Sequence, residues 1–300
     1  MVNCHQKIYK MESLYSYAKE ILVNQQHQFC YVDIGSGDTT LVFLHGMGSN
    51  LDSFQKNIAV LKKDFRCILI DLPGYGKTPK IENETFSIGK SAELIAELLG
   101  ILDIKKIVLI GHSMGGQIAI KLTNIIQEKL SRLILLSPAG IEQFNQKEEE
   151  WLSEKVTVES MVNLSEAEVE KMVRYNFYDQ NIDIDSIISY RTQYLEDPNL
   201  NKQYCTTIVE SLLSMVREKV LIDIAKISIP CLIIFGDQDK YIPHPSLHQD
   251  MTINDVIKKA TELNKEIDTK LLQKCGHFPQ WEKNNEVNSA IINFTSKYSQ

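Results

Sequence analysis

The chain of 300 residues has no long basic run: 32 Lys and Arg stand against 39 Asp and Glu, a net charge of −7, with both signs scattered along its length. A groove for nucleic acid needs clustered cations, so nucleic-acid binding is not expected. Cysteine is sparse. The six cysteines, Cys4, Cys30, Cys67, Cys205, Cys231 and Cys275, never form a C-x-x-C pair, and no H-E-x-x-H occurs. No metal and no cofactor is therefore expected, and Cys67 and Cys231, set in apolar runs, read as buried free thiols. With only 8 Pro and 14 Gly beside 43% hydrophobic side chains, the composition excludes fibrous repeats and disorder. No apolar stretch near the start is long enough for a signal-peptide core or a membrane span, because Lys7, Lys10, Glu12, Lys19 and Glu20 interrupt it. The expectation is a cytoplasmic protein without an integral membrane segment. Met11, Leu14, Tyr15, Ala18, Ile21 and Leu22 have helical spacing, so residues 1–28 are read as an amphipathic helical segment packed on the domain.

What is present is an alternation. Leu41–Leu44, Cys67–Ile70, Ile107–Ile110 and Leu133–Leu136 are continuous apolar runs, as in strands covered on both faces, and helical patterns lie between them. From Ile88 the apolar residues Ala92, Ile95, Leu99 and Leu102 follow three or four apart, one stripe for one sheet face. After Ser137-Pro138 the strand signal stops for about ninety residues and each periodic segment is helical, with a capping box at Ser165-Glu166-Ala167-Glu168. Strands resume at Cys231–Phe235 and Thr269–Leu272, and 283–298 closes as a helix. The reading is an α/β domain with a mostly parallel sheet, 29–138 and 227–300, interrupted by a helical cap, 139–226.

Gly111-His112-Ser113-Met114-Gly115 fits G-x-S-x-G directly after a strand and directly before a helix. The glycines leave room for a sharp turn that lifts Ser113 above the sheet end, and the helix N-terminus supplies unpaired backbone N–H groups there. A serine hydroxyl needs a base that titrates near neutrality, and His277 follows a strand end. His45 and His112 lie beside glycines in backbone motifs and read as structural or pocket-lining, whereas His244 and His248, in a polar loop, read as solvated. The base needs an acid, for which Asp237 and Asp239 compete and Glu142 is a third candidate. Two other patterns are dismissed. Tyr75-Gly76-Lys77-Thr78 mimics a Walker A end, but Asp71 stands where its first glycine belongs, and Ser53-Phe54-Gln55-Lys56 matches S-x-x-K without partner motifs, as the start of a surface helix.

These motifs together resemble the α/β-hydrolase family over roughly Phe29 to Tyr298. His45-Gly46-Met47-Gly48 is similar to its oxyanion loop, Asp71-Leu72-Pro73-Gly74-Tyr75-Gly76 to its D-x-P-G-x-G turn, and Gly236-Asp237-Gln238-Asp239 to its acid loop. The resemblance implies an α/β-hydrolase fold and a triad of Ser113, Asp239 and His277 in the family's chain order. It also implies an oxyanion hole made by the backbone N–H groups of Met47 and Met114.

His277-Phe278-Pro279-Gln280-Trp281-Glu282 resembles the G-H-W-x-Q-W-E segment of the meta-cleavage product hydrolases, which cut carbon–carbon bonds. The stretch Tyr175–Asp179 through Tyr190-Arg191 is similar to theirs too, with Arg191 matching their cap arginine. Arg191, Phe278 and Trp281 thereby join His45 and His112 as pocket candidates. His112 replaces that branch's usual asparagine, and Ile242–His248 is similar to lipase and esterase members. Hydrolysis of a small-molecule carboxylic ester, with the cap's apolar residues shaping an acyl pocket, is expected ahead of carbon–carbon cleavage. A hydrolase-fold receptor with little turnover is a third possibility.

Overall fold

The computed structural model describes residues 13–81 and 84–297, so Met11 and Cys4 lie outside the described residues. One sheet of eight strands runs through it. These are β1 (Ala18–Val23), β2 (His27–Ile34), β3 (Thr40–Leu44), β4 (Arg66–Ile70), β5 (Ile107–His112), β6 (Leu130–Leu136), β7 (Cys231–Gly236) and β8 (Ile267–Leu272), in the order β1-β2-β4-β3-β5-β6-β7-β8. Every neighbouring pair from β4 through β8 is parallel, and β1 and β2 add an antiparallel edge.

Among the described residues twelve α-helices connect or flank the strands: α1 (Gln55–Leu61), α2 (Ile88–Ile101), α3 (Met114–Ile126), α4 (Gln146–Lys155), α5 (Val158–Val162), α6 (Glu166–Arg174), α7 (Asp185–Thr192), α8 (Pro198–Arg217), α9 (Leu221–Ala225), α10 (Ile253–Leu263), α11 (Pro279–Glu282) and α12 (Asn284–Ser296). The continuous apolar strand runs have the expected cause. On one face Val42, Leu44, Ile68, Leu109 and Leu135 pack with Ile95, Leu99, Ile118 and Leu122 of α2 and α3. On the other, Leu41, Phe43, Leu69, Ile110 and Ile234 pack with Ile58, Leu61, Val287 and Ile291 of α1 and α12. Each such side chain contributes about 1.5–3 kcal/mol on burial, so the centre of the sheet is a rigid base for the loops at its ends.

Over the described residues 13–28 the helical reading of the N-terminal segment is overturned. Leu14–Tyr17 is a single 3-10 turn, and Ala18–Val23 is strand β1, joined to β2 through Asn24 and Gln25, both in the left-handed region (φ 51° and 58°). The open edge of β2 offers a ladder to six residues, register Ala18 to Val32 through Val23 to His27, and that pairing outweighs a short helical periodicity. The sheet therefore starts at residue 18 rather than 29. Ser53–Lys56 does begin a helical stretch, but Ser53, Phe54 and Gln55 are buried, so it is not a surface helix. The five described cysteines are buried and unpaired.

Between β6 and β7 the chain forms helices α4 to α9 and no strand. Ser165 begins α6 with the expected capping box shared with Glu168. This insertion is bonded to the sheet domain at several points: Tyr75 Oη donates to Ser211 Oγ at 2.7 Å, the Gly76 N–H donates to Tyr190 Oη at 2.8 Å, and Lys80 pairs with Glu210 at 2.7 Å. No described helix is long and apolar enough to cross a membrane.

Candidate active site

The loops after β3, β5, β7 and β8 meet at the carboxyl ends of the parallel strands, where open α/β sheets bind ligands. Ser113 caps β5 at φ 51°, ψ −117°, a conformation that costs a non-glycine residue energy and that its surroundings must hold in place. They do so by closeness. A Cβ on Gly111 would meet Gly116 Cα at 2.7 Å, and one on Gly115 would meet the Leu44 carbonyl carbon at 2.7 Å, so strand, turn and helix approach as only glycine permits. The Ser113 N–H donates to Leu136 O at 3.0 Å.

Residues far apart in sequence converge on this turn. His277 Nε2 lies 2.9 Å from Ser113 Oγ, and His277 Nδ1 lies 2.7 Å from Asp239 Oδ2. The Asp239 side chain is fully buried, and its other oxygen accepts the N–H groups of Tyr241 (2.9 Å) and Ile242 (3.1 Å). Asp237 instead accepts the Cys275 N–H at 3.3 Å and ties together the two loops that carry Asp239 and His277. An imidazole placed this way can take the hydroxyl proton on one nitrogen while the carboxylate holds the other.

The backbone of His277 is fixed at both ends. Its N–H donates to Asn176 O at 2.7 Å, and its carbonyl accepts from His112 Nε2 at 2.7 Å. His112 is fully buried beside Phe278, ring centroids 4.5 Å apart, and burial holds it neutral, well below the usual histidine range. Its Nε2 therefore carries the proton. Asn176 lies in the Tyr175–Asp179 stretch, but its bond to His277 carries no sequence signal because it is made by a carbonyl, which any residue possesses.

A cavity of about 190 Å³ opens over Ser113 and His277. Gly46, Met47, His112, Arg191 and Phe278 are among its lining residues, with Met161, Met172, Leu212 and Met215 supplying an apolar wall from the insertion. Met114, buried beneath, opens α3, so its N–H precedes the helix's own acceptors. Arg191 reaches across to the loop after β3, donates to Met47 O at 3.3 Å and lies against Gly48. It has no carboxylate within 4 Å among the described residues, and its buried Nε has no partner.

Two pocket candidates do not line the cavity. His45 is turned into the protein, where Nε2 accepts the Leu72 N–H at 3.0 Å and Nδ1 donates to Gly46 O at 2.8 Å, and burial pulls its pKa down to about 4. It joins the β3 loop to the β4 loop. Trp281 packs with Val173, Phe177 and Ile187, donates to Asp183 O at 3.0 Å and lies under Lys56. His244 and His248 are only partly exposed. His244 lines the cavity, and His248 sits between Glu142 and Glu148, because the loop Ile242–His248 folds against the start of the insertion.

Asp71 holds the neighbouring loops together. It is fully buried, and it accepts the Leu51 N–H (2.9 Å), the Lys77 N–H (2.9 Å) and Tyr15 Oη–H (2.7 Å). Burial nevertheless raises its pKa to about 7.

Known proteins are similar to this chain in sequence or fold. A 2-hydroxy-6-oxononadienedioate/2-hydroxy-6-oxononatrienedioate hydrolase of Escherichia coli O81 is 27% identical over 286 residues, covering 88% of this chain and 90% of that one. A meta-cleavage product hydrolase from Pseudomonas fluorescens superposes with a TM-score of 0.73 at 21% identity, over 93% of this chain and 97% of that one. A thermophilic esterase from Thermogutta terrifontis gives 0.75 at 20% identity, over 93% and 98%. Residues 39–284 match the sequence profile of the alpha/beta hydrolase fold, from the strand before the glycine loop to the helix after His277, and the chain belongs to that family.

Proposed function

We propose that this hydrolase cleaves carboxylic esters through an acyl-enzyme on Ser113. The observation that carries the reading is the Ser113–His277–Asp239 chain of contacts, 2.9 and 2.7 Å, beneath an apolar cavity. Ser113 Oγ attacks the acyl carbon as its proton passes to His277 Nε2, with Asp239 stabilising the imidazolium. The N–H groups of Met47 and Met114 take the charge on the carbonyl oxygen, each worth roughly 3 kcal/mol in the transition state. The tetrahedral intermediate then collapses, and His277 returns the proton to the departing alcohol. Water, deprotonated by His277, attacks the acyl carbon in turn and releases the acid and Ser113. The insertion serves as the cap, and its methionine wall suits a flexible acyl chain because unbranched thioethers adapt to irregular shapes.

A second reading, carbon–carbon cleavage of a dienol diketone acid, is favoured by one observation. Arg191 presents a guanidinium beside the Met47 loop with no carboxylate among the described residues to pair with, and a substrate carboxylate would fill that role. The 27% identical Escherichia coli hydrolase points the same way. Glu142, in the same cavity, weighs against a substrate with two carboxylates. Steady-state kinetics on p-nitrophenyl esters of graded length beside one dienol diketone acid separate the two. Ester turnover with negligible diketone cleavage is expected. Efficient diketone cleavage that falls a hundredfold or more, roughly 2.7 kcal/mol, in Arg191→Ala would establish the second reading instead.

A further inference from the structure

Glu142 follows β6 and lines the same cavity as the apolar side chains of Leu152, Met161, Met215 and Val216. The residue is 7% exposed. Its position is imposed from one side only. Oε1 accepts the His244 N–H at 2.6 Å and contacts His248 Nδ1, while Oε2 receives no hydrogen bond from a described residue. His248 in turn directs Nε2 to Glu148 Oε1 at 3.3 Å and stacks on Phe144, centroids 5.2 Å apart. One imidazole thus stands between two carboxylates. An accessible oxygen of a largely buried carboxylate is free to take a donor from a molecule bound in the cavity.

We infer that Glu142 forms a specificity subsite that reads a hydrogen-bond donor, a hydroxyl or an ammonium, on the part of the substrate remote from the reacting carbonyl, and rejects an anion there. The inference rests on the ester reading for the identity of the scissile bond but not for the subsite. The carboxylate is held in one orientation by two groups of the single loop Ile242–His248, so it needs little reorganisation to accept the donor. Arg191 and Glu142 then mark two electrostatically opposite regions of one cavity, with the methionine wall available to the apolar chain.

Calorimetric titration of Ser113→Ala tests the subsite without turnover. The ligands are methyl esters of straight-chain acids of graded length whose far carbon bears hydrogen only, a hydroxyl, an ammonium or a carboxylate. At the chain length bound best, the hydroxyl and ammonium ligands are expected to bind more tightly than the plain ester. The carboxylate is expected to bind at least about tenfold more weakly than the ammonium. Adding Glu142→Gln should bring ammonium and carboxylate to within about threefold, whereas Glu148→Gln, which leaves the cavity carboxylate in place, should keep the preference. Equal affinity for all four ligands, no binding of any, or a preference that survives Glu142→Gln overturns the inference. If Glu142→Gln does not fold, the ranking in Ser113→Ala and its retention in Glu148→Gln decide. Hydrolysis of the plain ester by the wild-type chain tests the ester reading separately: a selective binder that hydrolyses no ester would overturn that reading and leave the subsite standing.

Discussion

The backbone N–H of His277 donates to the carbonyl of Asn176 at 2.7 Å, so the helical insertion itself holds the imidazole that faces Ser113. The adjoining residue shows how close the two segments lie: a Cβ on Gly276 would meet Phe177 Cα and Tyr178 N, each at 2.9 Å. Backbone atoms cannot give way as a flexible side chain can.

Gly276→Ala should therefore push the insertion and the His277 loop apart. The expected result is a loss of about 1–3 kcal/mol in stability with at least tenfold lower kcat/KM. Thermal unfolding and ester kinetics on the same preparation check it, and wild-type values in both would contradict the coupling.

His112→Phe keeps a ring against Phe278 and removes the Nε2–H donor to His277 O. About a tenfold fall in kcat with little change in KM is expected, the kinetic equivalent of one hydrogen bond of roughly 1.4 kcal/mol. A change confined to KM would instead mark His112 as a binding group.

His45 makes stability acid-sensitive. Its folded pKa is about 4 against an ordinary value near 6.5, so between these limits the unfolded chain binds a proton that the folded chain refuses. Stability falls as pH drops through this window, because a protonated Nε2 can no longer accept the Leu72 N–H. In His45→Gln that part of the slope should vanish, as read from urea unfolding at pH 7 and pH 4.5. A slope equal to wild type would show that His45 is not its source.

Asp71 acts with the opposite sign. Its folded pKa of about 7 lies above the ordinary carboxylate value, so from about pH 4 to 7 the folded state keeps a proton that the unfolded state has lost. Its contribution therefore declines as pH rises across that range. Asp71→Asn removes the dependence but turns an amide donor toward N–H or O–H donors, at a cost of about 1–3 kcal/mol. Unfolding at several pH values should show the stability gap between wild type and variant narrowing from pH 4 to 7, and a widening gap would contradict the assignment.

The central strands and their loops were legible because their signals are local. Leu41–Leu44 and Ile107–Ile110 are apolar without interruption because helices cover both faces, and the glycines around Ser113 reflect contacts within a few residues. The β1–β2 edge was not legible. Six residues of ambiguous period were decided by a partner strand, and only three-dimensional pairing reveals that. The same holds for His248, whose partners lie about a hundred residues earlier, and for Asn176, which contributes no side-chain chemistry to His277. His45 and Trp281 carried the right residue types for a pocket, but hydrogen bonds to Leu72 and Asp183 turn them elsewhere.

The mass of the Ser113 peptide after rapid acid quenching of enzyme mixed with a p-nitrophenyl ester reads the acyl-enzyme itself. Acylation of Ser113 is expected: an added acyl group on Ser113 in the wild type and no adduct in Ser113→Ala, whose kcat should fall about 10⁴ to 10⁶-fold. Hydrolysis with no acyl group on Ser113, or more than about a tenth of activity left in Ser113→Ala, would contradict it.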